Sequence, residues 1–365
     1  MSEPQFLGDR LDYEYDWVAL CEFLQAHGYT MRARWQPNWV PSWRDNPDRK
    51  GFHTEFEDGV WPIRFNVMDA IRNSDGASVI LKMMWEDQKS HIVDHMQYFG
   101  KHSSDPQNGC VPLLEVLQPA DIYPDRTILV FPRLVPWDLW PFERVDEIVD
   151  FLTQVLDGLA FFHEHHTVHL DASWNNIMMD GLHLLREPNH PAVPDRTADL
   201  QRPVQHMHRF QSPQPIKYFF IDLDYSVRFP SVAARHPIKR YNGQDDTVPE
   251  EQNQSSSTLV DGFRVDVYCI GNLILTHLLN AYRNIEFVRE LTEDMMCKDP
   301  DARPTAQEAA ARFSLIRQTL TPKQLHGSPG RVKSFDPYNY VLSKRPARRP
   351  SKGWMNIFGK LWGNY

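Results

Sequence analysis

His169-Leu170-Asp171-Ala172-Ser173-Trp174-Asn175-Asn176 sets an Asp and an Asn five residues apart, just beyond a strongly apolar helical pattern. In that pattern Val145, Val149, Leu152, Val155, Leu156, Leu159 and Phe162 recur at helical intervals, so the spacing predicts a helix that ends where this loop begins. After Asn176, Ile177-Met178-Met179 reads as a short strand, and a second apolar run, Tyr218-Phe219-Phe220-Ile221, ends in Asp222. Taken alone, Asp222 is a turn-forming residue at a strand terminus. Together the two carboxylates and the amide suit phosphoryl transfer. One carboxylate takes or orients the acceptor hydroxyl proton, and an Asn and a second carboxylate hold the metal ions that neutralise the transferring phosphate.

A chain of 365 residues, 41% hydrophobic, can bury a substantial core, and its length suits one bilobal domain with extensions or two compact units. The formal net charge of -9 argues against nucleic acid as a partner. Cys21, Cys110, Cys269 and Cys297 form no C-x-x-C pair, so neither a disulfide framework nor a zinc site is indicated and a reducing compartment is expected. Met1-Ser2-Glu3-Pro4 has neither a charged n-region nor an apolar core, and the longest apolar stretch, Val267 to Leu279, is broken by Asn272 and His277. The expectation is no signal peptide and no transmembrane helix, hence an intracellular protein, cytoplasmic or nuclear.

Upstream, Trp17, Leu20, Phe23 and Leu24 form a short helical pattern, followed by an aromatic run from Tyr29 to Trp43; residues 1–50 read as an extension packed outside the main fold. Phe65 to Ala70, a break at Asn73-Ser74-Asp75-Gly76, and Ala77 to Lys82 read as a hairpin ending in a lysine. A helix from about Gln88 to Phe99 and strands at Val111–Leu117 and Thr127–Phe131 follow, which suggests a small antiparallel sheet with one helix packed on it. Residues 181–215, rich in Pro, His and Arg, read as a surface insertion between two short strands. Helices are expected again from Val265 to Leu279, Ile285 to Met296 and Thr305 to Leu320. Between Lys50 and Gly76 the only internal glycines are Gly51 and Gly59, so no backbone is bare enough to wrap phosphate oxygens closely, and Asp58-Gly59 reads as a turn.

The loop from His169 to Asn176 and the Asp222 triplet resemble the His-Arg-Asp-x-x-x-x-Asn and Asp-Phe-Gly motifs of eukaryotic protein kinases. Val248-Pro249-Glu250, Asp266 and Asp299 to Thr305 with Arg303 resemble the later kinase motifs, in the same order. The resemblance covers roughly residues 60 to 320; Asn175–Asp180, Lys217–Asp222 and Asp266–Leu273 are further similar to kinase-like proteins of mushroom-forming fungi. It implies an α+β, bilobal protein-kinase-like fold, with a small antiparallel β-sheet N-lobe carrying one packed helix and a mainly helical C-lobe. The implied divisions are 1–50 extension, 51–132 N-lobe, 133–322 C-lobe including the 181–215 insertion, and 323–365 tail. The implied activity is transfer of the ATP γ-phosphate to a protein hydroxyl, Ser or Thr in preference to Tyr. Asp171 is then the catalytic base, Lys82 the nucleotide-contacting lysine, and Asn176 and Asp222 the magnesium and ATP ligands. Asp266 would brace the catalytic loop, and Glu250 would pair with Arg303.

Several positions depart from that pattern. Leu170 replaces the Arg that receives an activation-segment phosphate, Ser173 replaces a catalytic-loop Lys, and Asp224 stands where the metal motif has Gly. On the helix after Lys82, only Asp94 is central enough to replace the usual Glu partner. These departures keep two alternatives open: a pseudokinase acting as an interaction module, and a small-molecule phosphotransferase. The histidines His163, His165, His166 and His169 lack a metal-ligand spacing. The basic stretch Lys344 to Pro350, followed by Trp354, Ile357, Phe358, Leu361 and Trp362, suggests attachment to a membrane surface or partner protein, or an import patch, beside plain docking on the chain's own body.

Overall fold

The protein is described by a computed structural model over residues 10–44, 55–62, 64–239, 243–251 and 259–332. The tail pattern from Lys344 to Trp362 lies outside the described residues. Two short helices, α1 (Glu14–Ala19) and α2 (Cys21–Ala26), lead into strand β1 (Tyr29–Met31). Strands β2 (Val67–Arg72) and β3 (Ser78–Trp85) form the expected hairpin, with Gly76 at φ 73° in its turn, a conformation a Cβ would strain. Helix α3 (Glu86–Gly100) follows, then β4 (Glu115–Leu117) and β5 (Arg126–Pro132). The five strands make one antiparallel sheet in the order β1-β2-β3-β5-β4.

The two faces of this sheet follow from strand alternation. Met68, Ala70, Val79, Leu81, Met83, Ile128 and Val130 share one face, where they pack with Trp17, Leu20, Leu24, Tyr29 and Trp35. The segment expected to lie outside the main fold therefore supplies the edge strand and a core layer. Trp17, Leu20, Leu24 and Trp35 are fully buried, and each buried side chain of this kind stabilises by about 1.5–3 kcal/mol. A buried fork from Arg34 onto Glu14, at 2.6 and 2.9 Å, pins the layer. Register places Val67, Asp69, Ile80 and Lys82 on the opposite face, with Leu129 beside Lys82. Lys82 does not end its strand as expected: β3 runs on to Trp85 and is a central strand, flanked by β2 and β5.

The rest of the chain is mainly helical. Strand β6 (Val135–Pro136) precedes α4 (Val145–Glu164), whose apolar face is buried as its periodicity predicts. Then come β7 (Thr167–Val168), β8 (Ile177–Met179), β9 (Tyr218–Phe220), β10 (Val227–Arg228), β11 (Ile238–Lys239) and β12 (Leu259–Val260). Helix α5 (Gly262–Leu273) continues as a π-helical segment, Ile274–Leu279, and is followed by α6 (Arg289–Met295), α7 (Ala306–Thr319) and α8 (Pro322–Leu325). One large core joins α4, α5, α7 and the inner residues of α3, including Ile92, Met96 and Phe99. The chain thus combines a small antiparallel sheet with several helices. Among the described residues, no helix is long and apolar enough to cross a membrane.

Residues 181–215 do lie between two short strands, β8 and β9, and carry short 3-10 turns and isolated antiparallel bridges such as Leu185 with His206. They are not confined to the surface: Leu184 and His190 are fully buried, and Arg133 Nη2 donates to Asn189 Oδ1 at 2.7 Å. The predicted strand at Val111–Leu117 is shorter than its apolar run, because Val111 instead donates its N–H to Phe220 O.

Candidate active site

The loop that carries Asp171 is held from beneath by one carboxylate. Asp266, fully buried on α5, accepts the backbone N–H groups of His169 and Leu170, both at 2.7 Å, and sits 3.1 Å from His163 Nε2. These bonds support a left-handed backbone at Leu170, φ 64°, a conformation that costs about 1–2 kcal/mol for a residue with a Cβ. The Leu170 side chain packs with Val168 and Phe229, so this position is an apolar contact that cannot pair with a phosphate. His169 Nε2 lies 3.0 Å from Ile221 O, which ties this loop to the strand that presents Asp222.

Asp171 and Asn176 meet directly. Asn176 Nδ2 donates to the Asp171 carbonyl at 2.9 Å and to its Oδ2 at 2.8 Å, leaving the amide oxygen as an acceptor. From the other side, Phe220 packs where Gly109 and Gly158 come together: a Cβ on Gly158 would stand 3.2 Å from the Phe220 ring and 3.3 Å from Gly109 Cα. Close packing therefore fixes the chain two residues before Asp222. The left-handed backbone of this triplet falls on Asp222, φ 64°, which precedes a 3-10 turn, Leu223–Tyr225, that includes Asp224. Asp is among the residues that adopt this region most readily.

Lys82 reaches both carboxylates: its Nζ donates to Asp222 Oδ1 at 2.6 Å and also to Asp224. Asp94, the expected partner on α3, is exposed. Burial opposes charge on Lys82, but Asp222 and Asp224 outweigh it and raise its pKa. Burial would likewise raise the Asp222 pKa, yet Lys82 and Arg64 bring it down to about 2; burial and the Asp222 charge push Asp224 up. Arg64 Nη1 lies 3.3 Å from Asp222 Oδ2. Asp171, Asp222, Asp224, Arg64, Ile92, Tyr225 and Gln244 line one cavity of about 290 Å³. Gln244 donates its backbone N–H to Asp171 Oδ1 at 2.7 Å, and its side-chain amide lies 3.2 Å from Asp171 Oδ2 and 3.3 Å from Asn176 Oδ1.

Of the four residues singled out in the sequence, Asp171 and Asp222 line this polar cavity, and Lys82 and Asn176 are bonded directly to them, Lys82 to Asp222 and Asn176 to Asp171. Among the described residues no three His, Cys, Asp or Glu side chains form a metal-holding set by themselves. The donor chemistry nevertheless fits a hard cation that keeps waters and shares phosphate oxygens: Asp222 and Asn176 offer carboxylate and amide oxygens, and the Lys82 ammonium already bridges two carboxylates as a cation would. Arg64 and Gln244 escaped sequence reasoning, because neither belongs to a spaced motif.

The supporting motifs also close. Arg303, fully buried, forks onto Glu250 at 2.7 and 2.6 Å, as expected. The histidines at and after the end of α4 bond to neighbouring side chains: His163 faces Asp266, His165 Nδ1 is 2.7 Å from the Tyr98 hydroxyl, and Arg235 Nη2 is 2.9 Å from His166 Nδ1. Asp58, read with Gly59 as a turn, lies in a 3-10 turn and accepts from Trp39 and Ser42. Compared with known proteins, the chain matches no protein-family model and no curated protein.

Proposed function

We propose that the protein is a kinase-like phosphotransferase with a bilobal arrangement, in which the sheet and α3 act as the small lobe and the helical body as the large one. The cavity receives the phosphate chain of a donor such as ATP. Asn176 and Asp222 would hold magnesium, which screens the phosphate charge when bound. Asp171, oriented by Asn176 Nδ2, takes the proton of a protein hydroxyl, and Lys82 and Arg64 supply positive charge to phosphate oxygens. The observation that carries this reading is the meeting of Lys82 with Asp222 across 140 residues, on the cavity that Asp171 also lines. The Glu250–Arg303 pair favours a protein acceptor over a small molecule, because those motifs belong to the protein-kinase resemblance.

One observation favours the second reading, a pseudokinase acting as an interaction module. Gln244 covers both carboxylate oxygens of Asp171, so an acceptor hydroxyl reaches the base only after that segment moves. Phosphate transfer from γ-labelled ATP to protein, measured with magnesium on wild type, Asp171→Ala and Asp222→Ala, separates the two. Transfer that both substitutions abolish supports the phosphotransferase. Wild-type transfer no greater than in Asp171→Ala, in protein that still gains thermal stability from magnesium and ATP, supports the module.

A further inference from the structure

The cavity accounts for phosphates and leaves the rest of a nucleotide to be placed. A nucleobase needs a flat, largely apolar slot with a few polar groups at its edge. On one side the cavity is walled by Ile92 of α3, a core residue. Past Lys82, the same face of the sheet presents Ile80 and, directly across the β2–β3 ladder from it, Asp69. Asp69 is a nearly buried carboxylate gripped by Arg32, whose Nε and Nη2 donate at 2.8 and 3.0 Å. Arg32 Nη1 continues to Glu57 Oε1 at 2.7 Å and lies 2.9 Å from His190 Nε2. His190 is fully buried, and its neighbour Asn189 is tied to Arg133 beyond the end of β5. Residues 189–190 of the insertion thus close over the sheet face at Asp69, opposite Ile80 and two residues along β3 from Lys82, so on that side a charged, mutually satisfied cluster stands in place of an apolar slot.

Opening that slot would break the Arg32–Asp69 fork and strand buried charge, which is strongly unfavourable. The open volume of about 290 Å³ falls just below the range of roughly 300–1,000 Å³ for small-molecule pockets, and mostly polar groups line it. Its charges also define the ligand. Three carboxylates face two cations, Lys82 and Arg64, so a polyphosphate enters only with a divalent metal.

We propose that this site is blind to the nucleobase and recognises a magnesium-bound polyphosphate chain through Lys82, Arg64, Asp222 and Asn176. This rests on the phosphotransferase reading of the same cavity and names its ligand class. The test is a calorimetric and thermal-shift titration of the full chain with magnesium plus ATP, GTP or inorganic tripolyphosphate, repeated without magnesium. Expected are dissociation constants for the three ligands within about threefold, no binding without magnesium, and loss of all three in Asp222→Ala. In Arg64→Ala, a change at a half-exposed side chain that leaves the core untouched, weakening should be equal for all three. ATP binding tenfold or more tighter than tripolyphosphate or GTP overturns base-blindness while leaving the phosphate site standing. Failure of every ligand to bind, or binding that survives both substitutions unchanged, overturns the phosphate site itself and this inference with it.

Discussion

Replacing Asp266 by Ala tests the support of the candidate catalytic loop. The carboxylate is fully buried and accepts two backbone N–H groups at 2.7 Å. Each donor left unsatisfied costs about 1–3 kcal/mol, and bonds to a charged acceptor lie toward the upper end. Removing the buried charge returns part of its own desolvation, which places the net loss near 3 kcal/mol. The left-handed backbone at Leu170 adds to the effect, because an unanchored loop relaxes and carries Asp171 with it. Asp266→Asn keeps one oxygen acceptor and should lose roughly half as much. Urea unfolding followed by far-UV circular dichroism measures both; at about 2–4 °C per kcal/mol, the Ala variant should also melt about 6–12 °C lower. A loss below about 1 kcal/mol for Ala, or an Asn variant less stable than Ala, would refute the bracing argument.

Other perturbations address separate parts of the molecule. Glu250→Ala leaves the buried Arg303 guanidinium with carbonyl partners only, and urea unfolding should register a loss of about 3 kcal/mol, larger than for Arg303→Met, which removes the stranded charge. His95, His190 and His277 have pKa values lowered to about 4, chiefly by burial, so the fold favours the neutral ring. Their contribution is fully present above the unfolded value of 6.5 and is lost as pH falls from there toward 4; by pH 5 each should cost about 2 kcal/mol. His277 shows this best, since among the described residues neither ring nitrogen has a hydrogen-bond partner: His277→Phe should flatten the pH 7 to 5 stability profile, and an unchanged profile would remove this residue from the account. Under the proposed function, Ser231→Glu should leave any phosphate transfer within about twofold of wild type, since buried Leu170 cannot pair with phosphate, and a many-fold rise in a transfer assay would contradict that.

Much of the local order was legible from residue spacing. The apolar periodicity from Val145 to Phe162 is helix α4, the Asn73–Gly76 break is the β2–β3 turn, and the helix read from Thr305 to Leu320 is α7. The motif residues were legible as well, because Asp171 and Asn176 interact over five residues and Glu250 and Arg303 each sit in a recognisable phrase. Less legible was the role of the first fifty residues. Their pattern shows only that Trp17, Leu20 and Leu24 need burial, and the partner surface lies on β2, β3 and β5. Asp94 looked like the partner of Lys82 because it is near in sequence, yet it is exposed and the lysine turns to Asp222 and Asp224.

The sequence by itself determined which segments coil or extend, which residues carry charge, and the order of the motifs, since helix and strand periods and turn chemistry act over a few residues. Tertiary structure alone decided what those charges meet. Lys82 and Asp222 are 140 residues apart, Arg32 and His190 158, and Gln244 reaches Asp171 over 73. Such contacts arise when packed faces bring distant side chains into a space of low dielectric, where pairing is strong and an unpaired charge is intolerable. No spacing rule along the chain encodes that geometry.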